Sequence, residues 1–178
     1  MAKTWDVVQP QIQDDFSGTI NQYPAASGVT LKAGTFTTLT SGLLNPIAAN
    51  STSLATAGLL AGIALGPATY AGGLGAGIGD NGGNISANVP TFRARAGQRV
   101  VMTLSGAAGA DLVATAAMLG GKYGLYIDAN GIAHIDESNT AQPYVEIIKF
   151  GIENDQVLGA VGDTNPPVLV ELLAAGIQ

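Results

Sequence analysis

Cysteine is absent from the 178 residues. That removes disulfide frameworks, thiolate nucleophiles and cysteine metal sites from consideration. Charge is scarce as well: Asp, Glu, Lys and Arg make up 11% of the chain, under half of the roughly 25% of an ordinary globular domain. A chain so poor in charge cannot surround itself with a conventional charged surface, so part of its apolar surface is expected to be buried by a partner, most simply by copies of itself. Seven cations against thirteen acids leave a net charge of −6, a sign that repels phosphate and argues against bare nucleic acid as a partner. The opening MAKTWDVVQPQIQDD has no apolar core of signal-peptide length, so export through a standard signal is not expected.

What the chain has instead is glycine, 25 residues of it, and short runs of strand formers. Residues 1–28 read as an extended arm, in which Trp5, Val7, Val8, Ile12, Phe16, Ile20 and Tyr23 are scattered among polar residues without a helical stripe. Pro10 and Pro24 break any long regular element there. An irregular segment with the only tryptophan is pinned either against its own domain or against a neighbouring subunit. Residues 29–178 read as a single mainly-β domain, a small barrel or sandwich with a Gly/Ala-rich loop region and at most one or two short helices. Its strands are expected in a pair around Ala33-Gly34 within VTLKAGTFTTLTS, and in TFRAR, RVVMTL, YVEIIKF and PVLVELL, with a turn at Ala96-Gly97-Gln98. Asp111–Leu119 reads either as a helix capped by Asp111 or as an Ala-rich strand.

No charged residue occurs from Ala33 to Gly79. Residues 54–78 are long enough to span a membrane as a helix, and Gly58, Gly62 and Gly66 fall at the spacing that lets membrane helices approach. Against this stand Gly66-Pro67 in mid-segment, a run of further glycines, and no Lys or Arg near either end. The favoured reading is a short helix or strand at 54–65 followed by a Gly-rich loop, with no membrane contact. Gly77, Gly79 and Gly82 formally match a dinucleotide fingerprint, but Asn84–Pro90 does not start the helix that would hold a pyrophosphate. No cofactor is expected.

Reactive chemistry has little to work with. His134 is the only histidine. Asp136 would share its strand face, yet no nucleophile motif lies nearby. Asp128-Ala129-Asn130-Gly131 opens like a calcium loop, but Asn139 falls where the bidentate acid belongs, so no metal site is expected. Arg93, Arg95 and Arg99 form the one cation cluster, with Arg93 and Arg95 on one face of a strand. They read either as a solvated edge that discourages aggregation or as a contact with a partner's carboxylates.

The densest local signal is Lys122–Asp136, KYGLYIDANGIAHID. Asn130-Gly131 is the pair that most readily supplies a two-residue hairpin turn. That turn sets Ile127 opposite His134 and Tyr126 opposite Ile135, with Leu125, Ile127 and His134 on one face. Together with the Arg-bearing strand before it and the strands YVEIIKF and VLVELL after it, the segment resembles the head decoration, or capsid cement, proteins of tailed bacteriophages. Tyr123, Gly124, Leu125, Asp128, Gly131 and Asp136 carry the resemblance, which covers roughly 90–175. It implies a small β-barrel-like, often trimeric, non-enzymatic protein that is made in the host cytoplasm. Such a protein binds the outer surface of the virion and bridges neighbouring major capsid protein subunits. The residues expected at protein interfaces are Trp5, Phe16, Arg93, Arg95, Arg99, Tyr123 and Tyr126. The alternatives are another virion- or tail-associated structural β domain or a small membrane-associated protein using residues 54–78.

Overall fold

The computed structural model describes residues 2–8, 10–13, 20–26, 29–32, 34–48, 60–65, 68–69, 88–153 and 156–177. Its strands, in chain order, are β1 (Gln11–Ile12), β2 (Ile20–Pro24), β3 (Thr30–Leu31), β4 (Phe36–Thr40), β5 (Leu43–Pro46), β6 (Leu60–Ala64), β7 (Ala68–Thr69) and β8 (Asn88–Arg93). There follow β9 (Arg99–Ser105), β10 (Lys122–Ile127), β11 (Ala133–Asp136), β12 (Val145–Lys149), β13 (Ile152–Glu153), β14 (Gln156–Val157) and β15 (Pro167–Leu172). The protein is mainly β, and no helix among the described residues reaches seven residues.

Five strands close a barrel in the order β9-β11-β10-β12-β15, because β15 pairs with both β12 and β9. Every pairing in the ring is antiparallel except β9 with β11. Strands β9 and β15 are apolar along nearly their whole length because both of their faces are covered. Met102, Val100, Val168 and Val170 point into the barrel core, whereas Val101 and Leu169 pack outside it with Leu158, Val8 and Ile148. A second sheet runs β2-β8-β6-β4-β5, and its two ends meet at a parallel bridge between Ala25 and Leu44. Phe36, Leu60 and Ile63 of this sheet belong to the same buried cluster as the barrel interior, while Leu31, Leu44, Ala61 and Val89 form a smaller one.

The uncharged region thus builds sheet where it is described. Leu60–Ala64 is a strand buried at every position, which settles the choice between helix and strand for that part of 54–65 and leaves no continuous helix over 54–78. Gly62 serves close strand packing here, since a Cβ at that position would collide with the carbonyl oxygen of Phe92 on β8. No helix among the described residues is long and apolar enough to cross a membrane. Residues 54–59, Gly66-Pro67 and the glycine fingerprint at 77–82 lie outside the described residues.

Three local expectations are corrected. The pair expected around Ala33-Gly34 does not form: β3 pairs with β7, and β4 pairs with β5 and β6. The two-residue hairpin lies one step further on, at Ser41-Gly42, where both residues take positive φ (51° and 78°) between the facing Thr40 and Leu43. Asp111–Leu119 is not a regular strand, and its only helical part is a single 3-10 turn at Ala116–Met118, which begins after Thr115. Ala114 instead bonds to the loop at 162–165 (Ala114 N–H to the Asp163 carbonyl, 2.9 Å; Gly162 N–H to the Ala114 carbonyl, 2.8 Å). Asp111 accepts from Asn165 Nδ2 at 2.6 Å and caps no helix.

Candidate functional site

The hairpin β10–β11 occupies the barrel wall, but one residue out of the expected register. Leu125 faces Ile135, Tyr126 faces His134, and Ile127 faces Ala133. Side chains alternate with period two, so the one-residue shift moves those of β11 to the opposite face relative to those of β10. Leu125, Ile127, Ala133 and Ile135 point into the core, and Tyr126 and His134 lie on the outer face. The cause is Asp128. Its carboxylate Oδ1 accepts the N–H groups of Asn130 and Ile132, each at 2.8 Å, and its own carbonyl accepts the Gly131 N–H at 3.0 Å. The loop therefore spans three residues, 129–131, with Gly131 alone at positive φ (80°), the arrangement of a tight turn followed by a glycine bulge.

His134 is 4% exposed. Its Nε2 stands 3.5 Å from Asp128 Oδ2, and its Nδ1 has no hydrogen-bond partner. The Tyr126 ring meets the imidazole edge-on, 6.0 Å between centroids. Burial pushes the imidazole below its ordinary value, partly opposed by Asp128. Burial also acts to raise Asp128, but the two backbone N–H bonds and His134 outweigh it and leave the carboxyl low. Asp136, which the sequence places on the strand face of His134, accepts from the N–H (3.1 Å) and the hydroxyl (2.6 Å) of Ser138. Among the described residues no group of three or more His, Asp or Glu side chains is placed to hold a metal ion.

The resemblance residues are thus occupied in shaping the hairpin. Tyr123 is buried in the core cluster, where burial and then Glu137 raise its hydroxyl pKa. Gly124 has to be glycine because the Asn139 side chain lies where a Cβ would sit. Tyr126 is half-buried, with its ring against Gly109.

The three arginines are exposed, with buried Ala94 between Arg93 and Arg95. Arg93 ends β8, Arg95 lies in the connecting turn and Arg99 begins β9. The turn is where it was expected: Gln98 N–H donates to the Arg95 carbonyl at 3.2 Å, with Gly97 at φ 81°. Arg99 starts a row of facing residues that crosses four strands, Arg99–Glu171–Glu146–Lys122, and Lys122 Nζ stands 3.6 Å from Glu146 Oε2.

The arm is held on the chain's own barrel. Lys3 N–H and Trp5 Nε1 each donate to the Asp163 carboxylate at 2.8 Å, and Ala160 N–H joins them at 3.0 Å. Thr4 bridges Thr164 in parallel. Val8 N–H donates to Thr103 Oγ1 at 2.9 Å, and β1 pairs with β9 at Val100 and Val101, beside the stretch that β11 covers. The Lys3 ammonium lies 5.5 Å from the Trp5 ring. Of the expected interface residues, Phe16 lies outside the described residues. Asp163 and Asn165, which tie the arm and the 111–115 loop to the barrel, escaped the sequence reading. The cluster Gly162-Asp163-Thr164-Asn165-Pro166 is dense in turn formers and marks a loop, but spacing alone does not say which distant N–H groups such a loop receives.

No protein-family model, curated protein or solved structure matches this chain.

Proposed function

We propose that this is a non-enzymatic structural protein that binds the outer surface of a tailed-phage capsid and bridges neighbouring major capsid subunits. In this reading it associates with itself as a trimer and forms part of the virion. The observation that carries the reading is apolar surface with nothing over it. Val113, Leu119, Val157 and Val161 are each more than half exposed, at 53, 54, 57 and 51%, on a chain with few charges to offset them. Such side chains favour burial against another protein, and repetition over many copies on a shell multiplies a modest interface. The polar groups of the hairpin support the same reading. Asp128 and Asp136 each bond within their own turns, and Asp128 also stands 3.5 Å from His134 Nε2.

The direct test mixes purified protein with expanded tailed-phage shells stripped of decoration, followed by sedimentation and copy counting. Saturable binding in stoichiometric numbers is expected, together with greater shell stability to heat. Shells that bind none of it overturn the proposal. Arg93→Ala with Arg95→Ala is expected to weaken shell binding at least tenfold (about 1.4 kcal/mol) while leaving the unfolding transition nearly in place, because both side chains are exposed. Equal binding by the double variant excludes these arginines from the interface.

A further inference from the structure

Residues 3–12 cross the barrel as a strap, and the way it is held differs from the way the rest of the chain is held. Of its described residues only Pro10 is buried. Its attachments are hydrogen bonds, two to the Asp163 carboxylate, two to the backbone of Thr164 (Trp5 N–H, 3.1 Å; Lys3 carbonyl, 2.7 Å), one to Thr103 Oγ1 and the short ladder of β1 on β9, together with two partly buried apolar side chains, Val8 against Val101 and Leu169 and Ile12 against the main core. All of the receiving groups belong to the barrel. None of them distinguishes a strap of the same chain from an identical strap of another.

We propose that the strap is exchangeable. The groove made by Asp163, Thr164, Thr103 and the Val100–Val101 edge of β9 takes residues 3–12 of a second copy of this chain, and copies lock together strap in groove. Three observations favour a second copy as the occupant. The groove already matches this sequence bond for bond, so exchange recreates every contact without a new one having to be designed. A segment in which only Pro10 is buried among the described residues belongs to the part of a fold that opens early. Val113 and Val161 lie on the two loops flanking the groove and Val7 lies on the strap itself. All three are exposed (53, 51 and 42%) while the strap lies at home, and a second barrel brought to this place covers them. Between Gln13 and Ile20 the chain can extend to about 25 Å. Reciprocal exchange closes a dimer, and head-to-tail exchange closes a ring of three or more. The inference holds with or without a shell, so its failure and that of the capsid reading are separable.

The absence of cysteine makes the test clean. Thr4 and Thr164 face each other across a ladder about 4.8 Å wide, within reach of a disulfide. Thr4→Cys and Thr164→Cys are prepared as two separate full-length variants, unfolded, mixed in equal amounts, refolded together at high concentration and oxidised. A parallel sample is joined with a short bis-maleimide, so that a strained disulfide does not decide the result. Circular dichroism checks that both variants regain the native fold. With exchange, about half of the Thr4→Cys chains are expected in a covalent pair with a Thr164→Cys chain, as random partnering requires, and the double variant gives multimers. Absence of the mixed pair, with the double variant closing only within single chains, overturns the proposal.

Discussion

Three N–H groups converge on the Asp163 carboxylate, and they set its acidity as well as its position. The Trp5 indole, then the Ala160 and Lys3 backbone donors, lower its pKa from 3.8 to about 2. A carboxylate with a depressed folded value contributes stability that is whole above its unfolded value and is lost as pH falls through the folded one. The arm is therefore expected to release between pH 3.8 and about 2, seen as a red shift in the emission of Trp5, the only tryptophan. Asp163→Asn is expected to show that red shift already at neutral pH. Unchanged emission in the variant means that this carboxylate does not hold the indole. His134 points the same way for a different reason. Burial lowers its pKa below 6.5, so the neutral ring is the form that suits the fold. Its contribution is whole above 6.5 and lost as pH falls below that value and through the lower folded one. The urea midpoint is expected to drop between pH 7 and pH 5, and His134→Gln to flatten that drop. An equal drop in the variant assigns the acid sensitivity elsewhere.

At the scale of elements, the two turns show what sequence can and cannot say. Asn130-Gly131 signalled a hairpin, and a hairpin is there, but the register was set by Asp128 two residues earlier, whose carboxylate gathers two backbone N–H groups and lengthens the loop. Ser41-Gly42, which the sequence reading passed over, forms the two-residue turn with both central residues at positive φ. Serine takes that conformation less readily than asparagine. Ser41→Asn is therefore expected to stabilise the protein by about 0.5–1 kcal/mol, a rise of a few degrees in Tm by calorimetry. A fall in Tm means that Ser41 is held by something other than its backbone preference. The strands RVVMTL and PVLVELL were legible as strands because both of their faces are apolar. The expected partnership of 29–32 with 35–40 failed because strand pairing is chosen by distant sequence, and β6 and β7 outcompete the nearest neighbour. The first part of Asp111–Leu119 was illegible for a related reason: the backbone partners of Ala114 lie some fifty residues away, in the 162–165 loop, and the helical turn that follows is only Ala116–Met118.

Across the whole molecule, one buried cluster joins the second sheet to the barrel. Phe36 and Ile63 share it with Met102, Ile135 and Val170, so the two sheets are expected to unfold together. Phe36 is fully buried, and Phe36→Ala is expected to cost about 3–5 kcal/mol. The loss should move a single transition, reported identically by near-ultraviolet and by far-ultraviolet circular dichroism. Two separated transitions show instead that the sheets are independent. The mainly-β class and the barrel were readable from strand spacing, whereas the closure of the ring was not, because it joins residues 99–103 to 167–171. That closure has a consequence for synthesis. β15 is the piece that fits between β9 and β12, and it is the last strand of the ring to leave the ribosome. Until residue 172 has emerged, β9 and β12 each carry an unpaired edge, and the nascent chain presents two open, apolar strands to whatever is near. The barrel is thus completed only after most of the chain has been made. During that interval its protection depends on chaperones and on the rate of translation through the final strand.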